Sequence, residues 1–586
     1  MNSILVTGTA LRLVSAAVFA CVLHVNSAWS QPVLTWHNDT SRTGQNQAET
    51  ILTPANVNVT QFGKLFSYPV DGQMYAQPLF VPAVSIPGKG VHNVVYVATE
   101  NDSVYAFDAD SAALNPSPLW HTSFVAPPNV LPIQTLNCKG GEIVPLAGQE
   151  PSGPVIVLPT CTIYPISGIT GTPVISTATN TLYVVASTQE IVAGVLGFYV
   201  RLHALDITSG AEKAGSPALI CGAPSPVTGG CTFGHGLLNS EVTHQRTGLL
   251  LMPQAGTADG VLYMGFVDVG MVLAYDAATL APLANWTVVP HPPTPTALTA
   301  GVWGSGGGVS GDSAGYIYVS TGDGLFDADI GGFNYGDSLV KLHLVPGATA
   351  GTFQLKVADY FTPSDQACRG TNDVDLGSGG PLVLPTQPGP TPDLVVIAGK
   401  GSALCDAASP IELVNRHKMG HLGGQLQTVA GSTGGYWSSP AYWKSSTGAY
   451  LYASGFMGAH GDFLRQYALF KGQISPATSV AQTPTQFLVG ATPSVSANGT
   501  SNGIVWALRR QEYLGFHPAT TPVILHAYDA SNVGTELYNS SMNAARDQAG
   551  LSNKFAVPTI ANGKVFVGTM TELDVYGLLP APATKK

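Results

Sequence analysis

The chain is poor in charge. Of its 586 residues only 10% are Asp, Glu, Lys or Arg, and 35 acidic residues stand against 24 basic ones. No cluster of Lys and Arg stands out, so the electrostatic footprint of a nucleic-acid binder, or of a protein held to an anionic membrane surface, is missing. Cysteine is scarce as well. The seven cysteines form no CxxC, no CxxCH and no Cys/His spacing of the metal-ligand kind, which excludes a zinc module and a covalently attached haem. GSGGG at Gly304 is followed by no GK[ST], so it is no phosphate loop, and no Ser/His/Asp arrangement for hydrolysis is read. What is abundant is apolar residue and turn residue. The chain is 45% hydrophobic with 67 Gly and 43 Pro, enough for a core interrupted often by turns.

The first thirty residues differ from the rest. Arg12 is their one charged residue, an apolar run extends from Leu13 to Val25, and Ala28-Trp29-Ser30 puts small residues at a cleavage position. This reads as a signal peptide over 1–30, a mature chain from near Gln31 and a secreted or periplasmic location. The run is short of the roughly 20 residues that span a bilayer, so no transmembrane span is expected. A lipoprotein ending at Cys21 is the other reading, with bulky Phe19 fitting it badly. Beyond Cys21, six cysteines remain, an even set for an oxidising compartment. Pairing by proximity gives Cys138 with Cys161, Cys221 with Cys231, and Cys368 with Cys405, among 15 connectivities that six cysteines allow.

A unit recurs along the chain: small-Pro-apolar, then apolar-Tyr-apolar, then apolar-Tyr-Ala-apolar-Asp. AQPLFV at Ala76, VVYVATE at Val94 and VYAFDAD at Val104 make the first; GTPVIS at Gly171 opens the second. Further units begin at Gly248, Gly306, Gly379, Ser438, Thr492 and Val557. Each supplies three strong strands and often a weaker fourth, which predicts an all-β fold, a single β-propeller of about eight four-stranded blades over 62–579. The third unit lacks the small-Pro start, so seven blades remain open. The last unit ends at LDVYGLL with no outer strand, and FGKLFSYPV at Phe62 belongs to no complete unit. It can complete the eighth blade and close the ring, removing an exposed edge. Residues 31–61 are left as an N-terminal extension and 580–586 as a disordered tail.

From the fourth unit to the fifth, YIYVSTGDG, GDSLVKL, TNDVDLGSGGPLVL, VVIAGKGS and IELVNR follow in an order that resembles the quinoprotein alcohol dehydrogenases. The repeats as a whole are similar to the pyrroloquinoline-quinone-type propellers. TWHNDTSRTGQNQAETILTPANV at Thr35 also resembles a group of uncharacterised bacterial secreted propellers, and that likeness implies a fold but no activity. What the family resemblance implies is calcium and pyrroloquinoline quinone on the axis. Asp323 stands where the family has a calcium-binding Asn, Asp268 loosely where it has a calcium-binding Glu, Asp337 at the catalytic base, and Lys400 at the cation on the quinone carbonyls. A hard cation would polarise the quinone while a carboxylate takes the alcohol proton. Against this, no two cysteines are adjacent, no Trp follows in SLVKL, and the Trp-and-Gly docking signature survives only in traces such as Leu119-Trp120.

The same residues have plainer readings. Asp323 and Asp337 neighbour glycines, where Asp commonly caps a turn. Asp373 and Asp375 could hold calcium together or bind backbone amides, and Lys400 could form an ion pair with any of these aspartates. His235 and His244, near Glu241, suit packing or surface roles, and His417 with His421 would be a metal pair only on a helix, which Gly423 and Gly424 argue against. Two functions follow. The preferred one is a non-catalytic secreted scaffold that binds a protein, a glycan or a small neutral ligand through loops such as Thr122–Ile169 and Leu219–Thr247. The alternative is a divergent quinoprotein oxidoreductase acting on an alcohol or sugar.

Overall fold

A computed structural model describes residues 31–580 apart from 112–116, 135–137, 140–141, 144–162, 164, 225–229, 234–235, 239, 241–243, 268–269, 291–299, 402–404, 406–410, 430–431, 433–436, 456–460 and 513–518. Nearly all of the regular structure is strand. The inner strands carry continuous buried runs because both faces are covered there: Val94 to Thr99 within Gly90–Thr99, and all of Leu394–Ala398, are buried. Outer strands such as Phe353–Thr362 and Ala481–Phe487 alternate buried and exposed, as a strand with one solvated face must.

Among the described residues eight sheets have four or more strands, each built on an antiparallel meander of successive strands, to which Gln45–Asn46 adds in parallel beside Ser494–Asn498 and His421–Leu422 in parallel beside Phe353–Thr362. The innermost strands of sheets 1 to 8 are Leu79–Ile86, Val174–Ser176, Leu250–Met252, Ser310–Gly311, Leu382–Val383, Ala441–Lys444, Ser494–Asn498 and Thr559–Ala561. Sheet 3, which lacks a small-Pro start, is an ordinary four-stranded meander continuing through Val261–Phe266, Met271–Asp276 and Pro282–Thr287. In sheet 8 the strand Glu572–Leu578 pairs with Lys564–Gly568 on one side and with Phe62–Pro69 on the other.

The cores lie between sheets. One cluster joins sheets 1 and 2 and also takes Phe566, Leu573 and Val575 from sheet 8. Others join sheet 2 to 3, 3 to 4, 4 to 5, 5 to 6, 6 to 7 and 7 to 8. Each fully buried Leu, Ile, Val or Phe contributes about 1.5–3 kcal/mol of transfer free energy. Successive meanders packed face to face in chain order make a β-propeller.

Residues 33–49, set apart in the sequence as an extension, touch every sheet. Val33 bridges Phe80 of sheet 1, the Leu34 carbonyl accepts from Ile175 of sheet 2, and Thr35 Oγ1 donates to Leu249 O beside sheet 3. The carbonyls of Thr40, Ser41, Thr43 and Gly44 accept from Gly311, Val383, Tyr442 and Val495 of sheets 4 to 7, and Asn46 Nδ2 donates to Ile560 O of sheet 8. Arg42 anchors this segment. Its guanidinium donates to the carbonyls of Trp36, Gly248, Leu249 and Val309 and to Thr35 Oγ1, at 2.6–3.4 Å. His37, wholly buried, has its ring nitrogens 2.9 and 2.8 Å from the carbonyl oxygens of Arg42 and Pro493, which accept from the nitrogen that carries the proton, and burial lowers it to about 4.

Two disulfides staple irregular segments. Cys221–Cys231 ties the outer strand Ala218–Pro224 to the strand Cys231–Phe233, and Cys368–Cys405 ties the short helix Gln366–Thr371 to the loop beyond Lys400. Both pairings are those read by proximity; Cys161 lies outside the described residues. Among the described residues no helix is long and apolar enough to cross a membrane.

Candidate functional site

The structure brings Asp323, Asp373, Asp375 and Lys400 together between sheets 4 and 5. Asp323 follows the strand Tyr316–Ser320, Lys400 follows Leu394–Ala398, and the two other aspartates lie on the loop leading to sheet 5. Lys400 Nζ sits 2.5 Å from Asp373 Oδ1 and 2.5 Å from Asp375 Oδ2, and its backbone N–H donates to Asp375 O at 2.9 Å. Asp375 Oδ1 accepts the N–H of Asp323 at 2.7 Å. The turn that permits this contains Gly322, where a Cβ would stand 2.7 Å from Asp375 Oδ1. One oxygen from each of the three carboxylates lies within 4.8 Å of the others.

Burial pushes Asp323 up to about 7, and neighbouring Asp375 adds to the shift. Burial works to raise Asp375 too, but the Lys400 ammonium and the hydrogen bonds with Asp323 and Lys400 outweigh it and hold Asp375 below the usual carboxylate range. Burial works against the Lys400 charge, and the two carboxylates overcome that and raise it. The group is therefore an ammonium between two carboxylates, with a third carboxyl beside them.

Asp337 stands apart on the same loop. It occupies left-handed backbone at φ 48°, its N–H donates to Gly322 O at 2.7 Å, and its Oδ1 accepts the N–H of Leu376 at 3.0 Å. Its Oδ2 is buried without a partner, and burial raises its carboxyl well above the ordinary range. Asp268, the loose calcium-ligand position, lies outside the described residues, as do His235 and Glu241.

The remaining candidates fall into separate surroundings. His417 Nε2 is 2.9 Å from Asp393, whereas His421 stacks on Tyr360 and lies 3.4 Å from Asp359, so the pair forms no joint site. Their segment is a turn and a short strand, not a helix. GSGGG at Gly304 opens a 3-10 turn whose Ser305 hydroxyl donates to Ser378 O. GDSAG at Gly311 has the GxSxG spacing, but it is the hairpin turn between Ser310–Gly311 and Tyr316–Ser320, and no helix follows to make a nucleophile elbow.

Sequence reasoning passed over a second set of buried groups. Four residues before the innermost strand of sheets 1, 3, 6 and 8 stand Tyr75, Arg246, Trp437 and Phe555, where sheets 2, 4, 5 and 7 have Thr170, Gly306, Ser378 and Gly490. The signal was a shared register relative to each repeat, hidden because the residue types differ. His244, two residues before Arg246, is buried with neither ring nitrogen bonded; burial, then Arg246, lowers it to about 3.

No family model and no curated protein matches the chain. Among solved structures, the C-terminal WD40 domain of Sif2 is similar at 8% identity with a TM-score of 0.42, covering 91% of this chain and all of that one. The Dos1 propeller is similar at 11% identity with a TM-score of 0.35, covering 65% of this chain and 88% of that one.

Proposed function

We propose that the protein is a secreted, non-catalytic binding scaffold: eight sheets as the blades of one ring, closed where Phe62–Pro69 completes the sheet of the C-terminal strand. The continuous series of cores, in which sheet 8 shares a cluster with sheet 1, supports the ring. The Cys221–Cys231 and Cys368–Cys405 disulfides support an oxidising compartment.

The observation that carries the non-catalytic reading is Lys400. Its ammonium is held by Asp373 and Asp375, and to meet a quinone it would have to leave both. A divalent ion on Asp323, Asp373 and Asp375 would stand against that same ammonium. These residues do not fit calcium with pyrroloquinoline quinone, and they fit an internal ion pair that fastens sheet 4 to sheet 5. A protein or glycan remains the partner class for the ring's loops; 122–169 and 219–247 lie in part outside the described residues.

The test is thermal unfolding of the mature protein with and without calcium and pyrroloquinoline quinone, together with a dye-linked alcohol oxidation assay. A ligand of the native state must raise the melting temperature. The scaffold reading expects no shift and no turnover. A shift that needs both additives, with turnover lost in Asp337→Ala, would replace it by the oxidoreductase reading.

A further inference from the structure

Three cations converge at the axial ends of sheets 1, 3, 7 and 8. Arg246, at the entry to sheet 3, lies with its Cζ 4.4 Å from the ring of Phe555 and 5.9 Å from the ring of Tyr75, residues at the entries to sheets 8 and 1. Arg510, which follows the strand Ser501–Arg509 of sheet 7, lies with its Cζ 5.9 Å from the same Phe555 ring. Lys554 is the residue before Phe555. One aromatic ring thus serves two guanidinium groups from different sheets. Phe555 is held there in left-handed backbone, φ 57°, a conformation that costs a bulky residue about 1–3 kcal/mol and clusters at ligand sites.

Arg246 is 2% exposed, and among the described residues it makes no ion pair and no side-chain hydrogen bond. Its guanidinium lies against ring faces, with Glu100 the nearby acid that acts on its charge, and an acceptor for its N–H donors would relieve the cost of burying them. Among the described acids nearby, Glu100 Oε2 is engaged by Gly168 N–H and Thr170 Oγ1, and burial pushes Glu100 up to about 7 and Asp102 well above the ordinary range. Burial first, then Arg510 and Arg246, lowers Lys554 to about 7.

A recess beside Arg510 and Phe555 is lined also by Trp437, Thr492 and Asn553. Asn553 Oδ1 is buried without a partner. Below, a Cβ built on Gly306 would stand 3.7 Å from Arg246 Nη1 and 3.9 Å from Trp36 Nε1, so the N-terminal segment is the floor.

We infer that the axis carries a binding site for a small molecule bearing a carboxylate or phosphate group, held by Arg246, Arg510 and Lys554 against Phe555 and Tyr75. Guanidinium groups match such oxyanions in pairs of parallel N–H donors, and the ammonium adds a point charge. The site deepens the scaffold reading by naming a ligand class, and its test uses no quinone.

Isothermal titration and thermal unfolding in chloride buffer, with inorganic phosphate and with citrate as probes at matched ionic strength, decide it. At least one probe is expected to bind and to raise the melting temperature where sodium chloride does not; which of the two binds separates a phosphate ligand from a carboxylate one. Arg246→Gln is expected to abolish binding, and Lys554→Gln, at a half-buried position that leaves the fold intact, to weaken it at least about tenfold. No binding of either probe, an equal shift from sodium chloride, or undiminished affinity in Lys554→Gln would overturn the inference. Turnover with calcium and quinone would instead overturn the scaffold reading and leave this site to be judged on the two probes.

Discussion

Arg42 and Arg246 are both enclosed, 1% and 2% exposed. Around Arg42 every guanidinium N–H group that points inward meets a carbonyl or hydroxyl oxygen, so its charge is solvated by the backbone of the sheets it joins. Around Arg246 there are ring faces, with Glu100 the acid that acts on its charge. The contrast separates two uses of buried charge. Where the surroundings supply the acceptors, the residue is part of the framework; where they do not, it waits for an acceptor from outside. Lys400 belongs with Arg42, because Asp373 and Asp375 answer its charge from within the chain.

Three substitutions sharpen or break this division. Arg42→Met strips hydrogen bonds from buried oxygens of sheets 3 and 4 and from the N-terminal segment, each worth about 1–3 kcal/mol, so denaturant unfolding should show a loss of at least about 4 kcal/mol. A loss near zero would mean that the segment contributes little to the framework. Lys400→Met leaves buried Asp375 unanswered and should cost about 3 kcal/mol at neutral pH. The sign with pH follows from Asp375, whose carboxyl is held below its unfolded value: the difference between wild type and variant is full above about pH 4 and shrinks as pH falls through the lowered value. A gap that stays constant down to pH 2 would remove the ion pair as its cause. Arg246→Gln, in chloride buffer, should change stability by less than about 1 kcal/mol, since lost stacking on Phe555 is offset by relief of an unanswered charge. A loss as large as that of Arg42→Met would place Arg246 in the framework and erase the distinction.

How much of this could be read beforehand depended on periodicity. VVYVATE and LVVIAGKG announced inner strands because packing on both faces demands continuous apolar residues, and the lone strand at Phe62 was conspicuous because the last unit lacked an outer partner. The ion-pair reading of Lys400 was available because a lysine beside GxG in a chain this poor in charge needs a carboxylate, and TNDVDLG was the nearest source. Tyr75, Arg246 and Phe555 gave no such sign. They share a place in the repeat but no chemistry, so only superposed sheets bring them together. The expectation of a neutral ligand rested on loop composition, whereas the three cations lie at strand entries and at one strand end, each within a sequence of ordinary charge. Trp36 to Gly44 were equally silent, because their bonds are backbone bonds to strands up to several hundred residues away.

Residues 33–49 are made before any meander strand of the eight sheets, yet their partners run from Phe80 to Gly563. Neighbouring sheets can pair and pack while synthesis continues, since their contacts are local in the chain; the N-terminal segment has the longest loops to close and reaches its seat only when the final sheet exists. The earliest residues of the chain thus complete their contacts only when the last sheet is present.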